Sequence, residues 1–314
     1  MNLLASMRYL VALSEHRHFG RAAEACHITQ PALSNAMRTL EDEFKVVIVK
    51  RGRNYAGLTP EGERVLATAQ RMLHEHNLLQ QELESEAHRP RGGLRMGAVP
   101  TAIPVLARFA AILQAKHPGI VPRVLSLSSQ ELETGLETLS LDLALGYTER
   151  MSLRGTKLDA YAQYTEHYFL LRRADKPHGD SLQIGSPIRW ADAARQPMAL
   201  LTPEMHNRTI IDSAFVTAGA PIHPAFETNS IITLALSVVA GSVCSVMPGA
   251  LVGTVRGYRE LEALPLVEPD IRTPIGFMAQ AGVRPSRAME AALVLAQDGG
   301  WLRHAAAHSG LLMA

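Results

Sequence analysis

Cysteine is nearly absent from these 314 residues. Cys26 and Cys244 are the only two, far apart in what read as different domains. That excludes a disulfide framework, suits a reducing cytosol, and argues against a peroxide-sensing pair within one domain. Aromatics are scarce at 5%, but 47% hydrophobic against 19% charged residues is a globular balance, which excludes disorder and collagen-like composition. A secretory leader is missing too. The opening MNLLASMRYLVALSEHRHFG is broken by Arg8, Glu15 and Arg17, with no basic start and no small-residue cleavage site. Residues 229–255 form the only candidate membrane span, being uncharged. Ser230, Thr233, Ser237, Ser242, Ser245 and Thr254, with breaks at Gly241 and Pro248-Gly249, read better as a helix, a buried strand and a turn.

A basic excess is lacking as well: 31 Lys+Arg against 30 Asp+Glu give +1, which at face value argues against nucleic acid. The distribution says otherwise. Residues 1–60 carry eight basic and five acidic groups, or +3, whereas residues 61–88 carry two and six, or −4. A basic head precedes an acidic segment, and the length calls for two or more domains.

In the head, Leu3, Met7, Leu10 and Val11 share one face of a first helix. His18-Phe19-Gly20 breaks it, and Phe19, Ala22, Ala23 and Cys26 mark a short second helix. After a tight turn at His27-Ile28, Thr29 is placed to cap a third helix with Pro31 in its first turn. Leu33, Met37, Leu40 and Phe44 form its buried stripe, leaving Gln30, Ala32, Ser34, Asn35 and Arg38 for base edges and phosphates in a major groove. A strand at Val46–Val49, a basic turn at Lys50-Arg51-Gly52-Arg53-Asn54 and a returning Leu58-Thr59 read as a wing against the phosphate backbone.

The motifs Phe19-Gly20-Arg21-Ala22-Ala23, Ile28-Thr29-Gln30-Pro31-Ala32-Leu33-Ser34, Leu40-Glu41, Lys50-Arg51 and Leu58-Thr59-Pro60-Glu61-Gly62 resemble the N-terminal domain of LysR-type transcriptional regulators. By motif, the resemblance assigns DNA contact to Gln30, Ala32, Ser34, Asn35 and Arg38, with Arg51 and Arg53 in the wing. Lys45 replaces the family's usual glycine and Val49 a usual aromatic, so the turn into the wing is expected to differ locally.

From Pro60 to Arg89 no glycine follows Gly62, and Val65, Ala69, Met72, His76, Leu79 and Leu83 form a helix seam. The resemblance implies the family's linker helix (61–89), which dimerises the heads. His74 and His76 point to different helix faces, so no metal site is expected there. Arg89-Pro90-Arg91-Gly92-Gly93 ends the helix as a hinge.

Residues 90–314 alternate strand and helix. Leu94–Val99, a helix to His117, Ile120–Leu127, a helix opened by Ser128-Ser129-Gln130-Glu131, and Leu141–Leu145 predict a parallel sheet with ligands at helix starts. A second set runs from Tyr168 through a strand at Met198–Leu201, a helix from Thr209 to Ala218, a helix ending at Ala240 and a strand at Val243–Val246. The chain then crosses back after Leu264-Pro265, through a strand at Pro274–Gln280, to a final helix at Ser286–Gln297. The expected fold class is α/β: a winged helix-turn-helix (1–60), the linker helix, and a two-lobed domain resembling periplasmic binding proteins, with lobe I at 94–165 and 266–314 and lobe II at 166–265.

Cleft candidates are Thr101, Ser128, Ser129, Thr202, His206 and Asn229. The family's effector positions map onto Thr101, Ser129 and Thr202; the others follow from strand-end placement. Their helix starts favour a small carboxylate or other anion, such as formate, though each Ser or Thr is equally explained as a helix cap and His206 as an ordinary polar residue. No GxSxG, phosphate-binding glycine loop or HExxH occurs, and Cys244 has no adjacent base, so neither catalysis, nor a metal, nor a resident cofactor is expected. The expectation is a cytoplasmic regulator, a homotetramer built as a dimer of dimers on double-stranded promoter DNA, with RNA polymerase as a further partner and no membrane contact. The overall resemblance also implies a formate dehydrogenase operon as target.

Overall fold

The computed structural model describes residues 2–50, 55–84, 89–150, 157–177 and 179–309. The chain divides into two compact units, one of residues 1–86 and one of residues 87–137 with 141–314.

The first unit holds α1 (Leu3–His16), α2 (Phe19–Ala25), α3 (Gln30–Phe44) and α4 (Pro60–Glu84). Side-chain caps set the starts: Asn2 Oδ1 accepts from the Ala5 amide at 3.2 Å and Thr29 Oγ1 from Ala32 at 3.4 Å. His18, a mere break in the sequence reading, caps α2 by accepting from Gly20 and Arg21 through Nδ1. Leu10, Leu13, Ala22, Ala23, Leu33, Met37 and Leu40 close the core, and Leu66 of α4 joins them.

Two expectations need correction here. Phe44 is 40% exposed, because the chain turns back immediately after it and fills the core with Ile48 instead. Among the described residues of the wing, the pairing is a single antiparallel bridge, Val49 to Leu58, rather than two strands. Glu41 Oε1 accepts from the Ile48 and Val49 amides at 2.8 and 3.1 Å, taking the donors that a longer ladder would need. A Cβ at Gly62 would collide with the Ile48 carbonyl, which explains the glycine after Pro60-Glu61. Along α4, Ala69 is buried, whereas Met72, Leu79 and Leu83 lie exposed along one stripe.

The second unit is built on a nine-stranded sheet. β1 (Gly92–Ala98) lies between β2 (Ile120–Ser126) and β3 (Leu143–Tyr147), parallel to both. Gly92 and Gly93 therefore belong to a strand, opposite Ile120 and Val121, and not to a hinge. A 3-10 turn at Pro100–Ala102 leads into α5 (Ile103–Lys116), and α6 (Ser129–Glu137) joins β2 to β3.

The predicted parallel sheet becomes mixed, because the returning strand enters from the second lobe and runs the other way. β4 (Leu158–Arg173) is one 16-residue strand. Its Leu158–His167 portion pairs antiparallel with β11 (Arg272–Gln280), which also pairs antiparallel with β3. From Tyr168 its partners become β9 (Ser245–Pro248) and β10 (Leu261–Val267). Pro265 lies inside β10, so the chain crosses back later than the sequence suggested. β5 (Gln183–Ile184) and β6 (Ile188–Arg189) extend β10, followed by α7 (Trp190–Ala193). β7 (Ala199–Leu201) pairs with β8 (Phe226–Thr228), and α8 (His206–Thr217), α9 (Ile231–Ala240) and α10 (Gly249–Val252) pack around them.

One core holds Phe109, Phe277 and Trp301 with the residues around β1 and β3; two others cover the faces of the second lobe, around Phe169 and around Trp190 and Phe215. The expected final helix is two, α11 (Arg287–Ala296) and α12 (Gly299–Ser309). No helix among the described residues is long and apolar enough to cross a membrane, and residues 229–255 resolve into α9, β9 and α10.

Candidate DNA-binding face and effector pocket

On α3, burial of Leu33, Met37 and Leu40 turns Gln30, Ala32, Asn35 and Arg38 outward, with Ser34 half-buried at the edge of that face. Lys50 is exposed at the base of the wing. Arg51 and Arg53 lie outside the described residues. Lys45 adopts the left-handed conformation at φ 55°, the one a glycine would take, so the turn keeps its shape despite the substitution.

In the second unit, a pocket of about 190 Å³ including its open mouth lies where three helical segments begin. Thr101, Ser128, Ser129 and His206 line it, together with Val99, Pro100, Tyr147, Leu201, Met205 and Asn207. α8 starts at His206, three residues earlier than the sequence reading placed it, and that brings His206 and Asn207 to the pocket. Thr202 and Asn229 do not line it: the Thr202 hydroxyl donates to Glu204 Oε1 at 2.7 Å, and Asn229 is exposed beside Ser230, the cap of α9.

The cap alternative separates the two serines. Ser128 is a cap: its amide and hydroxyl donate to Glu131 Oε2 at 2.7 and 2.8 Å, and its Oγ accepts from the Glu131 amide. Ser129 is not. Its Oγ is buried with no hydrogen-bond partner, and so are Asn207 Nδ2 and His206 Nε2. Thr101, fully buried, is bonded to the Tyr147 hydroxyl at 3.0 Å.

Arg150, which the sequence reading passed over, spans the two lobes. Its Nε donates to Glu133 Oε1 of α6 at 2.7 Å and its Nη1 lies 3.2 Å from His206 Nδ1. A guanidinium only donates, so His206 Nδ1 accepts and the ring proton sits on Nε2. Burial, and then Arg150, push the His206 pKa below its ordinary value, keeping the ring neutral. Glu149 Oε1 is 3.6 Å from Nε2, too far for a hydrogen bond. The residues lining the pocket thus carry N–H donors on His206 and Asn207 and the Ser129 hydroxyl, at helix starts where partial positive charge collects.

Glu166 on β4, also missed, lies next to Thr101 and is fully buried. Neither carboxyl oxygen has a partner in hydrogen-bonding geometry. Burial raises its pKa to about 8, against the opposing pull of the Thr101, Tyr168 and Tyr164 hydroxyls. Among the described residues no group of His, Cys, Asp and Glu could hold a metal ion.

Residues 4–63 match the bacterial regulatory helix-turn-helix protein family of lysR type, and residues 87–300 match the LysR substrate binding domain. The chain belongs to the LysR family of transcriptional regulators. Members of this family are DNA-binding regulators and not enzymes, as the motifs implied. The hydrogen peroxide-inducible genes activator of Escherichia coli O157:H7 is 29% identical over 288 residues, covering 89% of this chain and 90% of the relative. A full-length OxyR variant from Pseudomonas aeruginosa superposes with a TM-score of 0.66 at 25% identity, covering 92% of this chain and 95% of that one. Full-length CbnR complexed with its target DNA shares the fold, with a TM-score of 0.63, 18% identity, and coverage of 96% and 99%. These LysR relatives give no support to control of a formate dehydrogenase operon.

Proposed function

We propose that this LysR-type regulator acts in the cytoplasm as a dimer of dimers, reading double-stranded promoter DNA through Gln30, Ala32, Ser34, Asn35 and Arg38. A small carboxylate or other anion, filling the pocket between the lobes, changes how the heads engage the site and so how RNA polymerase is admitted. One observation carries the effector reading: Ser129 Oγ and His206 Nε2 are buried polar atoms without partners, Asn207 Nδ2 has none in hydrogen-bonding geometry although the Tyr147 hydroxyl lies near it, and all belong to residues lining one pocket. Leaving such groups unsatisfied is costly, so an acceptor-rich ligand that pairs with them gains the difference.

Thiol oxidation, suggested by the peroxide-responsive relative, has less support. Cys244 is buried, its thiol donates to Gln196 Oε1 at 2.8 Å, and burial pushes its pKa up, away from the reactive thiolate. Cys26 lies in the other unit, with a pKa also raised by burial.

Mobility-shift titration on the native promoter, with and without candidate small acids, tests both halves. Arg38→Ala should weaken DNA binding tenfold or so, in line with the ~1–3 kcal/mol of a base or phosphate contact. Ser129→Ala should leave basal DNA binding intact and abolish the response to the acid. Unchanged DNA affinity in the first variant, or an unchanged response in the second, removes the corresponding half.

A further inference from the structure

Between the pocket and the body of β4 lies a cluster of hydroxyls around one acid. Thr101 and Tyr147, bonded to each other at 3.0 Å, both line the pocket, and Glu166 acts on both from behind. Tyr164 and Tyr168 flank Glu166 on its own strand, and Thr273 stands opposite it on β11, bonded to the Tyr168 hydroxyl at 2.9 Å. The Tyr164 hydroxyl and both Glu166 oxygens are buried with no partner in hydrogen-bonding geometry, although the Thr101, Tyr164 and Tyr168 hydroxyls lie close enough to act on the carboxyl. Among the described residues no cation is paired with this carboxyl. Arg272 of β11 is engaged by Asp270 at 2.8 Å, and Arg172 by Glu262 of β10 at 2.9 Å. β9, α9 and α10 carry no titratable side chain, and α12 meets β4 at Gln163, through Trp301. Glu149, following β3, is the other acid that acts on it.

We propose that Glu166 is the proton-carrying floor of the effector pocket: an anion enters only when Glu166 is a neutral carboxyl, so binding an anion is coupled to holding, or taking up, one proton. This rests on the anion reading of the pocket. With Glu166 ionised, two negative charges would share a buried region, with the hydroxyls of Thr101 and Tyr147 between them, and their repulsion is weakly screened there. With Glu166 neutral, that repulsion is absent.

The titration window separates this group from its neighbours. His206 titrates below 6.5, and Tyr147, Tyr164 and Tyr168 titrate well above 10, so from pH 7 to 9.5 Glu166, at about 8, is the member of this cluster that changes state.

The test is calorimetric titration of the full chain with sodium formate from pH 6.5 to 9.5 at constant ionic strength, in two buffers of different ionisation enthalpy, for wild type, Glu166→Gln and Ser129→Ala. For wild type, the formate Kd should stay constant below pH 7 and weaken about tenfold per pH unit above 8, with proton uptake rising from near zero towards one. Glu166→Gln should bind with a flat pH profile and no uptake, and Ser129→Ala should lose formate at every pH. Wild-type binding that is flat across the range, without uptake, overturns the proposal and leaves the anion pocket standing. Absence of formate binding in both wild type and Glu166→Gln overturns the anion reading and the proposal with it. Should Glu166→Gln not fold, the infrared carbonyl band of the neutral carboxyl in wild type decides. Its titration midpoint must move upward on saturation with formate, and an unmoved midpoint overturns the proposal.

Discussion

A carboxyl withdrawn from water without a compensating charge keeps its proton, and Glu166 does so to about 8 instead of the ordinary 4.5. Between those values the folded chain holds a proton that the unfolded chain has lost. The contribution to stability is therefore complete below pH 4.5 and declines by roughly 1.4 kcal/mol per pH unit until about 8. Urea unfolding between pH 5 and 9 should show wild type losing stability relative to Glu166→Gln along that slope. Parallel stability curves would refute it. Single residues were unequally legible in the sequence. Thr101, Ser128, Ser129 and His206 could be found because helix starts after strands leave local signals. Glu166 could not: within Tyr164-Thr165-Glu166-His167-Tyr168 it reads as an acid on an ordinary alternating strand. Its neighbours Thr101, Tyr147 and Thr273 are distant in the chain. Arg150 is equally silent, since its meaning lies in Glu133 and His206 on opposite lobes.

Among elements, the end of α3 shows how a departure from a motif can leave geometry unchanged. Lys45 bears a Cβ in the left-handed region, at φ 55°, where a side chain costs about 1 kcal/mol relative to glycine. Lys45→Gly should therefore stabilise the first unit by roughly 0.5–1 kcal/mol, read as a higher urea midpoint with an unchanged slope. A lower midpoint would mean that the lysine side chain contributes more than its strain costs. The wing departs from its sequence pattern for a related reason. Val46–Val49 has the composition of a strand, but Glu41, a turn back on α3, takes the amides of Ile48 and Val49. The length of β4 is not legible in the sequence, because its two halves pair with different strands and a local pattern carries no record of where partners change.

At the scale of the whole molecule, charge distribution and motif spacing read as a head, a rod and a two-lobed sensor, and the family models match residues 4–63 and 87–300. Leu79 and Leu83 stand 54% and 78% exposed on α4, in line with Met72. A second copy of the rod is the occupant this seam suits, since a lone helix of 25 residues gains little from exposed leucines. Leu79→Lys with Leu83→Lys should lower the assembly state seen by light scattering and weaken promoter binding in parallel; an unchanged mass would place the contact elsewhere. β4 constrains motion within the sensor in a different way. A strand can twist and bend, but at about 3.3 Å per residue it is already near full extension. The lobes that share it can rotate against each other and cannot pull apart. The changeover of partners between His167 and Tyr168 then acts as a fulcrum, and Glu166 stands beside it. A charge at a fulcrum is barely displaced by the swing, yet it bears on both arms, so one proton there can bias which way the lever rests.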